Sequence, residues 1–341
     1  MKKFYGVIGN PPYQEEVEGN GRATPIYPDF MDEAYKVGDR VELITPARFL
    51  FNAGQTKKAW NEKMLGDEHL KVLMYEPDGQ RVFPGPEIKG GVAVTYRDES
   101  QTHEPIELFI AEDDLRSASA KVSAASSETL SSIVTGAVPY RFSDKVRTDH
   151  PELIDDIGKS FDLRTNSLDK LNGNLFFNER QDEAHDWAAI FGLLKGRRTS
   201  LWIDLTYLET PFNFDRYKVL VPKAIGSGEF GERFPDLIIA PPGMGHTQSF
   251  VSLGAFDNES EAKALERYLQ TKLCRAMLGI LKVTQDVNPR VFGRVPLQDF
   301  TSSSDIDWSQ SVADIDRQLY AKYGLSDDEI AFIESHVKEM S

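Results

Sequence analysis

Across the first hundred residues, short apolar runs alternate with segments of helical spacing, and that alternation restricts the chain to an α/β arrangement. Phe4 to Ile8 is an apolar run closed by Gly9 and reads as a strand. Phe30, Met31, Ala34 and Tyr35 recur at helical spacing across Pro28 to Val37. Arg40 to Thr45 predicts a second strand, followed by Pro46 and a helix across Gln55 to Leu65. Leu70 to Tyr75 and Gly91 to Tyr96 predict a third and a fourth strand.

Beyond this region the pattern changes. Residues 117–136 are rich in Ser and Ala and poor in large apolar groups, which reads as a linker or an exposed helix at a domain boundary. The expected division is a first domain over 1–116, a linker over 117–139, a second domain over 140–300 and a helical tail over 301–341. The second domain mixes strands, such as Tyr217 to Val221 and Asp236 to Ala240, with one strong helix over Glu259 to Lys282. Asn258 and Glu261 form its cap, and Leu265, Tyr268, Leu269, Ala276, Met277 and Ile280 its apolar stripe. In the tail, Gly324 ends one helix and Ser326 with Glu329 caps the next, predicting a helical hairpin.

Composition narrows the chemistry. A single cysteine, Cys274, excludes an internal disulfide framework and any multi-cysteine zinc site, and no metal is expected. No apolar run reaches the roughly 18 residues that a membrane span needs, and the amino terminus is too short and polar for a signal peptide. A cytoplasmic protein with no membrane partner is therefore expected. The formal net charge of −15 argues against a general nucleic-acid binder. The excess is uneven, however. Residues 1–194 carry net −11, residues 195–300 net +2, and residues 301–341 net −6. A local basic groove in the middle stretch stays permitted.

The sharpest motif is Asn10-Pro11-Pro12-Tyr13, placed directly after the first strand. A chain of this length should contain that tetrapeptide by chance about one time in a thousand. Ligands of open α/β sheets bind beyond the carboxyl ends of strands, which is where it lies. Its residue types suit methyl transfer to an exocyclic amine. The lone pair of adenine's amino nitrogen is delocalised into the ring, which makes the nitrogen a poor nucleophile. Accepting both amine hydrogens, one at the Asn10 side-chain oxygen and one at the Pro11 carbonyl, frees that pair. Pro11 has no N–H to donate, and the fixed φ angles of Pro11 and Pro12 hold the geometry. Tyr13 offers a ring face for a base swung out of a duplex, worth about 1–3 kcal/mol of stacking.

Val7 to Gln14 resembles the catalytic motif of the adenine-specific DNA methyltransferases of bacterial restriction–modification systems. Glu42 to Leu50 is similar to the strand and turn that follow in that family, so Pro46 is expected to line the pocket. Arg81 to Tyr96 resembles the later catalytic segment with its Glu-Ile-Lys-Gly-Gly signature. Thr247 to Phe250, Tyr268 to Arg275, Lys282 to Pro296 and Ile306 to Trp308 look like the target-recognition domain of fused restriction–methylation relatives. The resemblance implies an α/β fold: a partial Rossmann-like methyltransferase sheet, then an α+β target-recognition domain and a carboxyl-terminal helical hairpin. It implies S-adenosylmethionine as cofactor, double-stranded DNA as partner, and Asn10, Pro11, Pro12 and Tyr13 as catalytic residues. In this branch the cofactor segment lies upstream of the tetrapeptide, and only nine residues precede Asn10 here. An upstream cofactor-binding polypeptide or segment is therefore expected, and binding of the cofactor by this chain alone is not.

Lys195, Arg197, Arg198, Lys272, Arg275, Arg290 and Arg294 are the expected DNA contacts. Thr247, Gln248 and Ser249, with Gln285 and Asn288, are candidate readers of base edges. Two other motifs carry weaker readings. Gly226 to Gly231 has the spacing of a dinucleotide loop, but Pro235 follows before any helix, so a plain loop is expected. Asp78, Glu87 and Lys89 have the spacing of a magnesium nuclease, but Pro84 and Pro86 oppose the strand that chemistry needs. His246 reads as a loop hydrogen-bonder, Cys274 as a buried small hydrophobe, and Trp187, Trp202 and Trp308 as core anchors. The alternative to a methyltransferase is a specificity component that binds DNA without catalysis.

Overall fold

The computed structural model describes residues 4–15, 24–51, 55–84, 88, 90–136, 138–282 and 284–340. The chain divides into two compact units, Met1–Ala111 and Glu112–Ser341.

The first unit runs β1 (Phe4–Gly9), α1 (Tyr27–Val37), β2 (Gly38–Pro46), α2 (Lys58–Leu65), β3 (Leu70–Glu76), a short α3 (Gly79–Val82) and β4 (Val92–Asp98). Its strands form one four-stranded sheet in the order β1-β2-β4-β3. β1 and β2 are parallel, from Phe4 opposite Gly38 to Gly9 opposite Leu43, and α1 makes the crossover. The β2–β4 and β3–β4 pairs are antiparallel, so the sheet is mixed. Pro28 in the first turn starts α1 at no hydrogen-bond cost, and the helix buries Tyr27 and Met31. Gly38 is required where the crossover returns, since a Cβ there would meet Val7 Cγ2 at 2.7 Å. Val41, Leu43, Phe49, Leu50, Met64 and Leu70 complete the core beneath the sheet. β1 lies at the sheet edge, with Tyr5 71% and Ile8 83% exposed.

The second unit opens with α4 (Asp113–Ala125). Short pieces follow: β5 (Arg141–Phe142), α5 (Lys145–Asp149), α6 (Ile154–Ile157) and α7 (Ser167–Lys170). Next come β6 (Trp187–Leu194), β7 (Arg197–Asp204), β8 (Leu208–Glu209), β9 (Tyr217–Pro222), β10 (Ile238–Ala240), β11 (Met244–His246) and β12 (Phe250–Phe256). The chain ends in helices α8 (Glu259–Gln270), α9 (Lys272–Leu281), α10 (Val312–Lys322) and α11 (Asp327–His336). Two three-stranded sheets, β10-β9-β12 and β11-β6-β7, and the pair β5-β8 hold the strands. Lys195 and Gly196 turn β6 into β7 with φ of 50° and 76°, the positive pair that a two-residue hairpin matching strand twist demands. Among the described residues no helix is long and apolar enough to cross a membrane.

Two expectations are corrected here. The segment 117–139 is no linker: its first part lies in α4, which buries Leu115, Ala118 and Val122 and packs on α11. Ser117 Oγ and Lys121 Nζ both donate to the Glu329 carboxylate, at 2.5 and 2.8 Å. Small residues there permit close helix approach, where composition alone suggested exposure. The expected single helix over Glu259 to Lys282 is two helices, broken at Thr271, whose ψ of 150° is extended. Thr271 Oγ1 accepts from the Cys274 N–H, and the Asp316 carboxylate accepts from the N–H groups of Lys272 and Leu273 at 2.8 and 3.0 Å. The donors orphaned by the break thus find partners, which is what lets the helix restart. Two tail helices form on either side of Gly324, with the reciprocal Ser326–Glu329 box in place.

Candidate functional site

Parallel β1 and β2 bring their carboxyl ends side by side, placing Asn10 to Tyr13 at the same sheet end as Thr45 and Pro46. Asn10 is exposed, and its side chain makes no hydrogen bond among the described residues. Pro11 and Tyr13 are half-buried. The Tyr13 carbonyl accepts from the Ile26 N–H at 3.2 Å, and Gln14 bridges to Pro25, which pins the chain as it leaves the motif. The Tyr13 ring meets Phe83 edge-on, with centroids 6.2 Å apart and planes at 76°. Its Oη is buried without a partner, and burial pushes the phenol up to about 12. Tyr13 therefore stays neutral at ordinary pH.

The described residues of this sheet end present an exposed amide side chain and a ring edge beside two prolines. β1 runs through Gly9 and Asn10 into two prolines, and among the described residues up to Glu15 no helix amino terminus follows that strand end to receive a charged cofactor. Asp78 accepts from the Gln80 N–H at 3.1 Å and caps α3, while Glu87 and Lys89 of the nuclease spacing lie outside the described residues. No group of three or more His, Cys, Asp or Glu able to hold a metal is found among the described residues.

In the second unit the structure sorts the basic and polar candidates. Lys195, Arg197 and Arg198 are exposed at the tip of the β6–β7 hairpin. Arg198 Nη1 donates to the Asp236 carbonyl at 3.0 Å, and its guanidinium lies 5.8 Å from the Phe250 ring centroid. Gln248 and Ser249 sit in the loop between β11 and β12, fixed by bonds from Gln248 N–H to the Leu163 carbonyl and from Lys223 N–H to the Ser249 carbonyl. A cleft of about 470 Å³ gathers Arg198, Gln248, Ser249 and Gln285 with Lys223 and Asp286. Sequence reasoning missed Lys223 and Asp286, which the bridge between Ala224 and Asp286 and the backbone bonds around it bring there. Arg290 is exposed, Arg294 is half-buried and reaches Ser123 Oγ at 3.4 Å, and Asn288 caps the turn at Arg290.

Three candidates are not available at the surface. Lys272 is 6% exposed and pairs with the Glu334 and Glu339 carboxylates. Arg275 is 2% exposed and donates to the carbonyls of Gln270, Thr271 and Lys338. Thr247 is wholly buried against Gly192. Lys218 and Lys282 are buried as well, so much of the positive charge of residues 195–300 is spent inside the fold.

The remaining motifs are structural. His246 is buried on β11 and not in a loop, bonded to the Thr247 carbonyl and to Ser252 Oγ. Cys274 is fully buried, which pushes its thiol up. Gly226 to Gly231 forms a loop around the Glu232 carboxylate, with no helix after it. Trp308 packs on Tyr268 and Phe300, and Trp187 on Phe177, while Trp202 lies beneath Arg180.

Residues 1–83 match the family model of the Eco57I restriction-modification methylase. Over that stretch the chain is similar to the methylases of restriction–modification systems. A curated relative from Mycoplasma pneumoniae, described as an uncharacterized adenine-specific methylase, is 32% identical over 97 residues, covering 27% of this chain and 23% of the relative. The chain thus spans under a quarter of that relative's length in the match. Among solved structures, the type IIG restriction endonuclease BpuSI aligns over 93% of this chain and 49% of its own, at 11% identity and a TM-score of 0.35. A likeness that loose transfers no architecture.

Proposed function

We propose that the chain is the adenine-accepting and DNA-reading part of a site-specific N6-adenine DNA methyltransferase of a restriction–modification system. The observation that carries this reading is the placement of Asn10-Pro11-Pro12-Tyr13 at the carboxyl end of the parallel β1–β2 pair, with the Asn10 side chain exposed and without a partner among the described residues. The first unit is then half of a Rossmann-like sheet, and the second unit reads double-stranded DNA. Asn10 Oδ1 and the Pro11 carbonyl each accept one hydrogen of the adenine amine, drawing the nitrogen toward tetrahedral geometry and localising its lone pair. Tyr13 receives the flipped base on its ring. S-adenosylmethionine supplies the electrophilic methyl group when bound, held by a cofactor-binding segment or partner polypeptide. What Asn10, Pro11 and Tyr13 contribute is orientation and fixed dipoles, without a covalent enzyme intermediate.

Methylation of duplex DNA, measured with the cofactor-binding segment supplied, tests the proposal. Asn10→Ala should lower the rate about a hundredfold or more, as removal of a dipole aimed at developing charge does. An unchanged rate removes Asn10 from the mechanism. The second reading, a specificity component without catalysis, is favoured by one observation: the described residues at this sheet end fit the acceptor and not the donor. Titration calorimetry of the chain with S-adenosylmethionine separates the two. Micromolar binding argues for a usable donor pocket in this chain, and its absence alongside sequence-dependent DNA retention favours the specificity component.

A further inference from the structure

The cleft of the second unit holds an arginine that is fixed but not satisfied. Arg198 is anchored on two sides, by the Asp236 carbonyl at Nη1 and by the face of Phe250. Its Nε and Nη2 edge has no partner among the described residues. Asp286, the acidic side chain lining the same cleft, takes a bond from Asn288 Nδ2 at 2.8 Å and forms no ion pair with Arg198. The side chains of Gln248 and Gln285 flank the space and make no hydrogen bonds among the described residues. Ser249 Oγ is buried there without a partner. Backbone bonds hold all three loops, including Ile225 N–H to the Gln285 carbonyl and Val287 N–H to the Lys223 carbonyl. The cleft is therefore preorganised, with unspent hydrogen-bonding capacity on its walls.

We infer that this cleft reads a guanine in the target sequence, with Arg198 as the specificity-determining residue. The inference rests on the proposal that the second unit reads duplex DNA. A guanidinium is donor-only, so its free edge matches two adjacent acceptors in one plane. In the major groove guanine alone presents such a pair, O6 and N7. Adenine offers one acceptor beside a donor, and cytosine offers a donor. A phosphate also presents paired oxygens, so the shared chemistry is a pair of coplanar acceptors. Position favours the base. Lys195 and Arg197 flank the turn and do not line this cleft, whereas Arg198, one pair further along the hairpin, is exposed on the wall of a concavity flanked by neutral amides able to read neighbouring bases.

The test is selection of duplexes from a pool with a randomised stretch by the 341-residue chain, with sequencing of the retained DNA. It is repeated with Arg198→Lys and Gln248→Ala. Lysine keeps the charge but loses the planar fork. The inference expects a motif in which one guanine position loses about tenfold to a hundredfold preference in Arg198→Lys, while Gln248→Ala keeps that position. If Arg198→Lys retains every position of the motif and only binds more weakly at all sequences, Arg198 touches phosphate and the inference is overturned. If the wild-type chain selects no motif, the proposal that this unit reads DNA fails with it. Circular dichroism of each variant guards against misfolding, and Arg198→Gln, neutral and of similar length, must lose the same guanine position.

Discussion

Arg275 Nη1 donates to the carbonyl of Lys338 at 2.6 Å, joining α9 to the residues that follow the last helix. Arg275 Nε reaches the Gln270 carbonyl at 3.1 Å as well, so one guanidinium ties the last residue of α8 to the chain beyond α11. Arg275→Ala should destabilise the chain by about 2–4 kcal/mol, because it strands buried carbonyls and opens a void. Urea unfolding reads this as a lower midpoint at constant slope. DNA retention by the folded fraction should keep its salt dependence. A reduced salt slope would instead put Arg275 on phosphate.

Among the described residues the Tyr13 Oη is buried and unpartnered beside Phe83, so the proposed role of Tyr13 rests on its ring and not on its hydroxyl. Tyr13→Phe removes an unsatisfied polar atom and should be neutral or slightly stabilising, with methylation kept within a few-fold. Tyr13→Ala removes the stacking surface and should cost about 1–3 kcal/mol of base binding, a loss of roughly five- to a hundredfold. Methylation assays on both variants check this. A large loss in Tyr13→Phe would mean that the hydroxyl touches the base.

What was legible in the sequence had local causes. The period of α1, the alternation in β2 and the Ser326–Glu329 box are each written within a few neighbouring residues, and each element forms where its pattern lies. The Asn10 motif stands out because it is written in four consecutive residues, directly after β1. The break at Thr271 was not, because α8 and α9 face the same core and the apolar stripe runs on through it. Lys272 and Arg275 showed their charge but not their burial, which depends on partners as distant as Glu334 and Lys338. The cleft is a tertiary product of the same kind. Arg198, Gln248 and Gln285 come from separate loops and strands that meet only once β6, β7 and β12 are packed.

The β6–β7 hairpin that presents Arg197 and Arg198 depends on its turn. Gly196 has φ of 76°, where an L side chain is strained, although a Cβ there would meet no atom within 4 Å. Gly196→Ala should therefore cost about 1 kcal/mol through backbone strain alone. Amide exchange should speed up at Leu194 and Arg197, which pair across the turn, and not at Trp187 at the far end. Uniform protection across the hairpin would show that the turn tolerates alanine.

His246 sets how the second unit responds to acid. Its Nδ1 lies 3.0 Å from the Thr247 carbonyl, to which it donates, leaving Nε2 to accept from Ser252 Oγ at 3.2 Å. Burial, reinforced by the nearby charge of Lys218, holds the imidazole down at about 4, against about 6.5 in the unfolded chain. Between those values the unfolded chain binds a proton that the folded one refuses, so stability is full above pH 6.5 and is lost as pH falls through 4. The expected loss is up to about 3 kcal/mol. Asp316, raised to about 6 by burial, works in the opposite direction over part of this range. The comparison must therefore be with His246→Gln, which keeps Asp316 and removes only the imidazole. Urea midpoints from pH 7 to 4.5 should fall more steeply for the wild-type chain than for His246→Gln, and parallel curves would mean that the buried imidazole takes up its proton without unfolding.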